Sequence, residues 1–189
     1  HEASTVYKYD PEKAKSLLKE AGQENLSFTL LVIDNWIKDL AAQIQQDLQA
    51  VGLTCTLDVQ AAPYPSLAAK EDNSVLDYDV FLAPGDVSCF GTNADVHLAW
   101  FYGENTDWCQ GRTCWAKAEF NQYLDEARRA TDAGARQEAY NKCFDIIAEE
   151  VPLYPLFHKK VLTGYWADKI EGFEPSPTTG LYFQDAKLK

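Results

Sequence analysis

With 189 residues, 46% of them hydrophobic and 24% charged, the chain is long and apolar enough to bury a core and has the balance of a folded protein. Its 29 acids against 17 bases leave a net charge of −12, which argues against a binder of nucleic-acid phosphates. No apolar run approaches the roughly 18 residues of a membrane span, and neither a secretory leader nor an initiator methionine precedes His1, so the chain reads as a fragment or a processed product. The first helix is signalled at Asp10-Pro11-Glu12-Lys13. Asp10 can cap, Pro11 fits the first helical position, and Gly22 can end a helix striped by Ala14, Leu17, Leu18 and Ala21. Residues 26–33 form a β-rich apolar run, read as a buried strand. Ile37, Leu40, Ala41, Ile44 and Leu48 then recur at helical spacing, and 53–59 alternates like a strand. Strand, helix and strand at this spacing predict a βαβ unit with parallel neighbours.

Beyond Pro63 and Pro65 a short helix is expected at 66–70, and 78–83 reads as a third strand ended by Pro84-Gly85. Residues 26–33, 53–60 and 78–83 are expected in one sheet, with helices near 11–21 and 36–51 packed on it. Residues 84–114 look irregular, with a short helix near 96–102. Phe120, Tyr123, Leu124 and Ala127 mark one later helix. Ala139, Tyr140, Cys143, Ile146 and Ile147 mark another, with Asp132-Ala-Gly134 between them and Val151-Pro152 as the stop. Residues 153–157 and 161–166 read as two further strands. The order predicts one α/β domain over 1–189, a mixed, mostly parallel sheet flanked by helices.

Charge is uneven. From Glu71 to Gly111 there are eight acids and no Lys or Arg: Glu71, Asp72, Asp77, Asp79, Asp86, Asp95, Glu104 and Asp107. Tyr78, Phe81, Phe90, Trp100, Phe101, Tyr102 and Trp108 interleave with them. Such a stretch is either a cleft wall that attracts cations or a solvated loop over core aromatics. Five cysteines are present. The spacing of Cys109 and Cys114 around Gly111 suits a short disulfide loop; the alternatives are that all five are free, or that Cys89 captures one of the loop pair. Cys55, mid-strand, and Cys143, on an apolar helical stripe, are expected to be buried and free.

Nucleotide loops, zinc-protease motifs and nucleophile elbows are absent. A hydrolase using Asp86 with Asp95, Ser88 with His97 and Asp95, or Cys89 with His97, can be written down, but no spacing requires one.

Four segments, in order, carry a resemblance. Tyr9-Asp-Pro-Glu-Lys-Ala-Lys-Ser-Leu-Leu-Lys-Glu-Ala-Gly22, Ile44-Gln-Gln-Asp-Leu-Gln-Ala-Val-Gly-Leu53, residues 127–132 with Arg136-Gln-Glu-Ala-Tyr140, and Glu149-Glu-Val-Pro-Leu-Tyr-Pro-Leu156 resemble family 5 extracytoplasmic solute-binding proteins of ABC importers, the oligopeptide, dipeptide and nickel type. The resemblance implies a periplasmic-binding-protein-like (type II) lobe, namely the C-terminal lobe and tail of a two-lobe protein whose N-terminal lobe supplies the other cleft wall. It implies a monomeric bacterial binding protein without catalysis or cofactor. It also implies a location in the periplasm or lipid-anchored at the cell surface, and an ABC permease as partner; the alternative on the same fold is a sensory or adhesion module without transport. The implied ligand is a small solute: a peptide, a cationic solute or a metal complex.

In peptide-binding members a Gly-Trp-x-x-Asp segment follows the strand that presents its edge to the ligand, and its Asp meets the α-amino group. The matching stretch is Leu82-Ala83-Pro84-Gly85-Asp86. Asp86 keeps the acid, Leu82 and Ala83 replace Gly and Trp, and Pro84 has no N–H to donate to a peptide. Leu82, Pro84, Gly85, Asp86, Ser88 and Asp95 are the candidate ligand-binding residues, with a desolvated carboxylate favouring an amine, a guanidinium or a metal complex.

Overall fold

A computed structural model of the chain describes residues 1–33, 37–61, 78–83, 93–158, 160, 162–175 and 182–189. Helix α1 (Pro11–Glu20) begins where the sequence places it. Asp10 Oδ1 accepts from Lys13 N at 2.9 Å, and Pro11 occupies the first turn. The helix closes as the glycine demands. Gly22 adopts φ +67°, and Gly22 N and Gln23 N donate back to the Lys19 and Leu18 carbonyls.

Strand β1 (Ser27–Ile33), helix α2 (Lys38–Ala50) and strand β2 (Thr54–Gln60) form the expected βαβ unit. The strands run parallel with Ser27 opposite Thr54 and Ile33 opposite Gln60. A third strand, β3 (Val80–Leu82), pairs parallel to the other edge of β1, giving the order β2-β1-β3. Alternation along β1 sends Leu30 and Val32 to one face, where they pack with Ile37 and Ala41, with Cys55 of β2 and with Leu82 of β3. Leu31 and Ile33, on the opposite face, are buried as well. Burial of both faces explains why β1 reads as a continuous apolar run.

The second cluster is helical. Helices α3 (Ala94–Tyr102), α4 (Ala118–Arg129) and α5 (Ala133–Glu150) enclose Leu98, Phe120, Leu124 and Cys143. Asp132 caps α5 by accepting from Ala135 N at 2.9 Å, so Ala133 and Gly134 begin the helix instead of separating two helices. Val151 ends it in the left-handed region, φ +47°, just before Pro152. The N-terminal segment runs beside α5: Ser4 N donates to Asp145 Oδ1 at 2.9 Å, and Tyr7 Oη donates to the Glu149 carbonyl at 3.2 Å.

Several expectations change. The helix expected near 96–102 forms as 94–102, and Cys109–Thr113 is a π-helical turn, so much of the described part of 84–114 is ordered where irregular chain was expected. Residues 153–157 and the described part of the strand expected at 161–166 form no strand, and no described segment pairs with them. The antiparallel pairing in this region is shorter and later, between β4 (Ile170–Glu171) and β5 (Lys187–Leu188). Gly172 permits it: its φ is +71°, and a Cβ there would lie 2.1 Å from the Asp185 carbonyl oxygen. The helix expected at 66–70 lies outside the described residues.

The Cys109–Cys114 bridge is not formed. Cys55, Cys109, Cys114 and Cys143 are all free thiols. Cys109 is buried and directs its sulfur at the Trp115 carbonyl, 2.7 Å away, while Cys114 is exposed. Cys55 and Cys143 are buried and free, as small apolar core residues should be, and burial pushes the Cys143 thiol up to about 11. No helix among the described residues is long and apolar enough to cross a membrane.

Candidate functional site at the carboxyl edge of the sheet

The strand order places the candidate site. From β1 the chain crosses to β2 on one side and then returns to β3 on the other. The direction of winding therefore reverses between β1 and β3, and in open α/β sheets ligands gather outside the carboxyl ends of strands at such a switch point. Here that edge is formed by Ile33 and Leu82, since Val32 lies opposite Leu82 in the register. The segment carrying the candidate acid begins two residues beyond Leu82.

Tyr78 and Asp79 anchor the other end of β3. Asp79 N donates to the Thr29 carbonyl at 3.1 Å, and its carboxylate accepts from Thr29 N at 2.7 Å, so this acid extends the ladder between β3 and β1. Tyr78 is buried, its ring 5.8 Å from that of Phe81, and its hydroxyl donates to the Arg112 carbonyl at 3.3 Å. The π-helical turn thus braces β3 from below the candidate edge.

Of the six candidate residues, the described structure includes Leu82 and Asp95. Leu82 is a core side chain, 8% exposed, packed in the cluster with Leu30 and Val32. Pro84, Gly85, Asp86 and Ser88 lie outside the described residues. Asp95 sits in the first turn of α3, capped by Asn93, and its carboxylate takes Arg128 of α4: Nε at 2.6 Å and an Nη at 3.4 Å. Contact with Asp95 holds the Arg128 guanidinium above its ordinary value. The basic partner of the acidic stretch therefore comes from 33 residues away, and nothing in the sequence pattern singles out Arg128 for it.

The hydrolase alternative finds no support among the described residues. Asp95 and His97 are two apart on one helix, where side chains do not face each other, and Asp95 is engaged by Arg128. Among the described residues no group of three or more His, Cys, Asp or Glu side chains could hold a metal ion. Most of the interleaved aromatics prove to be packing. The rings of Tyr102, Trp115 and Phe120 lie 5.5–6.1 Å from one another, and those of Phe101 and Trp108 lie 5.0 Å apart. Burial pushes the Tyr102 phenol up to about 12. Trp100, 46% exposed, stays at the surface.

No family model matches the chain. Individual proteins do. Di/tripeptide-binding protein 4 of Pseudomonas aeruginosa (strain UCBPP-PA14) is 30% identical over 96% of this chain, covering 34% of its own length. The glutathione-binding protein GsiB of Escherichia coli (strain K12) is 27% identical over 96% of this chain and 36% of its own length. A crystal structure of a dipeptide-binding protein from Pseudoalteromonas sp. SM9913 in complex with Met-Leu superposes on 100% of this chain and 38% of that one, with a TM-score of 0.71 at 21% identity. The chain thus spans about a third of the length of the curated relatives it matches.

Proposed function

We propose that this chain, which belongs with the family 5 extracytoplasmic solute-binding proteins, is the C-terminal lobe of a two-lobe binding protein that captures a peptide or related small solute for an ABC permease. The observation that carries the reading is the match to a di/tripeptide-binding protein across 96% of the chain. The reversal of strand order between β1 and β3 supports it by placing an open sheet edge where such folds bind ligands. The protein acts as a monomer outside the cytoplasm, either in the periplasm or lipid-anchored at the cell surface.

The other cleft wall belongs to the N-terminal lobe. A surface suited to contact with it lies on the segment after α5, where Tyr154 is 63%, Leu162 92% and Trp166 70% exposed. Closure of the two lobes would bury the ligand between them, and the ligand would favour the closed state.

In this reading Asp86 meets a positively charged part of the solute, such as a peptide α-amino group, with the main chain of Leu82, Pro84, Gly85 and Ser88 around it. Asp95, already balanced by Arg128, contributes by tying the first turn of α3 to α4. Pro84 cannot donate to a peptide backbone, so charge recognition at Asp86 carries more of the specificity than strand pairing does. Native mass spectrometry of the full-length protein, purified without refolding, tests the assignment. A bound peptide or amine-bearing solute is expected, whereas turnover of a substrate with no retained ligand would overturn it.

A further inference from the structure

We propose that Cys109 and Cys114 are a redox-sensitive dithiol that a low-molecular-weight disulfide closes into an intramolecular bridge across the π-helical turn, with exposed Cys114 reacting first. Three observations carry this. The turn Cys109–Thr113 ends at Cys114, and π-helical winding brings residues five apart into adjacent turns, which is the spacing of the two thiols. The sulfurs also lie reciprocally. Cys109 Sγ sits 2.7 Å from the carbonyl oxygen of Trp115, the residue after Cys114, and Cys114 Sγ sits 3.9 Å from the carbonyl oxygen of Gln110, the residue after Cys109. Each sulfur therefore rests beside the backbone of the other's neighbour. Finally, exposure divides the roles: Cys109 is 4% exposed, while Cys114 is exposed at the end of the turn in a left-handed conformation, φ +50°. Burial and the nearby Cys114 both hold the Cys109 thiol above its ordinary value, which suits it to act second.

The exchange balances. The Cys114 thiolate attacks one sulfur of the reagent disulfide, breaking its S–S bond and releasing one reagent thiol. Cys109 then loses its proton and attacks the Cys114 sulfur, forming the intramolecular bond and releasing the second reagent thiol. The protein gives up two protons and two electrons, and the reagent disulfide takes both as two thiols. The consequence reaches the sheet, because the Arg112 carbonyl within the turn accepts the Tyr78 hydroxyl, and Tyr78 leads into β3. Arg112 also stacks its guanidinium 4.5 Å above the Trp108 ring, so the turn is braced on both sides.

Full-length protein is incubated with hydroxyethyl disulfide at mildly alkaline pH, alkylated and mapped by non-reducing mass spectrometry. The wild type is expected to lose alkylation at Cys109 and Cys114 together and to yield a peptide two hydrogens lighter. Cys109→Ser is expected to retain one mercaptoethanol adduct on Cys114. Cys114→Ser is expected to leave Cys109 unreacted over the same period. Circular dichroism verifies that each variant is folded. Cys109 and Cys114 both alkylated in the oxidised wild type, Cys114 joined to Cys89, or Cys109 in Cys114→Ser reacting at the wild-type rate would each overturn the proposal.

Discussion

Replacing Phe120 by alanine tests the helical cluster that carries α3, and with it the placement of Asp95. Phe120 is fully buried at 0% exposure, with its ring 5.9 Å from Tyr102 and 5.5 Å from Trp115. Truncation removes the ring from the centre of the cluster formed with Leu98, Leu124 and Cys143. A buried Phe→Ala change costs about 3–5 kcal/mol, part of it the lost ring–ring contacts. For a chain of this length each kcal/mol lowers the melting temperature by about 2–4 °C, so a fall of about 6–20 °C is expected. Phe120→Leu keeps more of the volume and should cost only about 1–1.5 kcal/mol, near the upper end for hydrophobic swaps. Thermal unfolding followed by far-ultraviolet circular dichroism reads the shift, and the near-ultraviolet signal reads the loss of packing around Trp115 and Tyr102. A fall below about 2 °C for Phe120→Ala would refute the packing argument, as would equal losses for the two variants.

Other outcomes follow from the same structure. The hydrogen bond and charge of Lys117 hold the Glu150 carboxyl below its ordinary value, so this pair favours folding above pH 4.5, a contribution that fades as pH falls through the lowered folded value. Lys117→Met should return Glu150 to the ordinary carboxylate range, read by carboxyl NMR titration; an unchanged value would assign the depression elsewhere. Burial raises the Tyr102 phenol to about 12, so its contribution is fully present below pH 10 and is lost as the pH rises toward 12. Tyr102→Phe should flatten that alkaline loss in pH-dependent unfolding curves, and an unaltered curve would contradict the burial argument. Gly172→Ala should abolish the β4–β5 pairing, because a Cβ would meet the Asp185 carbonyl; retained slow exchange of the Lys189 amide, which donates to the Lys169 carbonyl, would show otherwise. Asp86→Asn in the full-length protein should weaken solute binding by roughly 2–5 kcal/mol, while an unchanged affinity in a folded variant would remove Asp86 from the site.

The βαβ unit was legible because its signals agree. Apolar periodicity switches from strand to helix and back between Leu26 and Val59, and the cap at Asp10 and the turn at Gly22 mark the preceding helix. Residues 153–157 and 162–166 misled because apolar and β-branched composition expresses only a wish for a neighbour, and no described segment supplies one. The π-helical turn leaves no periodic mark in five residues. Arg128 was invisible as the partner of Asp95 for a related reason: an ion pair across 33 residues depends on how α3 packs against α4. The acidic stretch was visible as a charge imbalance, but composition could not tell Asp79, which extends a strand ladder, from an acid facing solvent. The switch point at the end of β3, four residues before Asp86 in the sequence, became visible only when β3 paired with β1, not β2.

Calorimetric titration of a panel of di- and tripeptides into the full-length protein, and separately into the 189-residue chain, tests the central claim most directly. The two-lobe account predicts saturable one-to-one binding to the full-length protein. It also predicts binding at least about 100-fold weaker to the chain alone, since a single wall leaves the ligand half solvated. Equal affinity for the two proteins, or no peptide bound by the full-length protein, would contradict it.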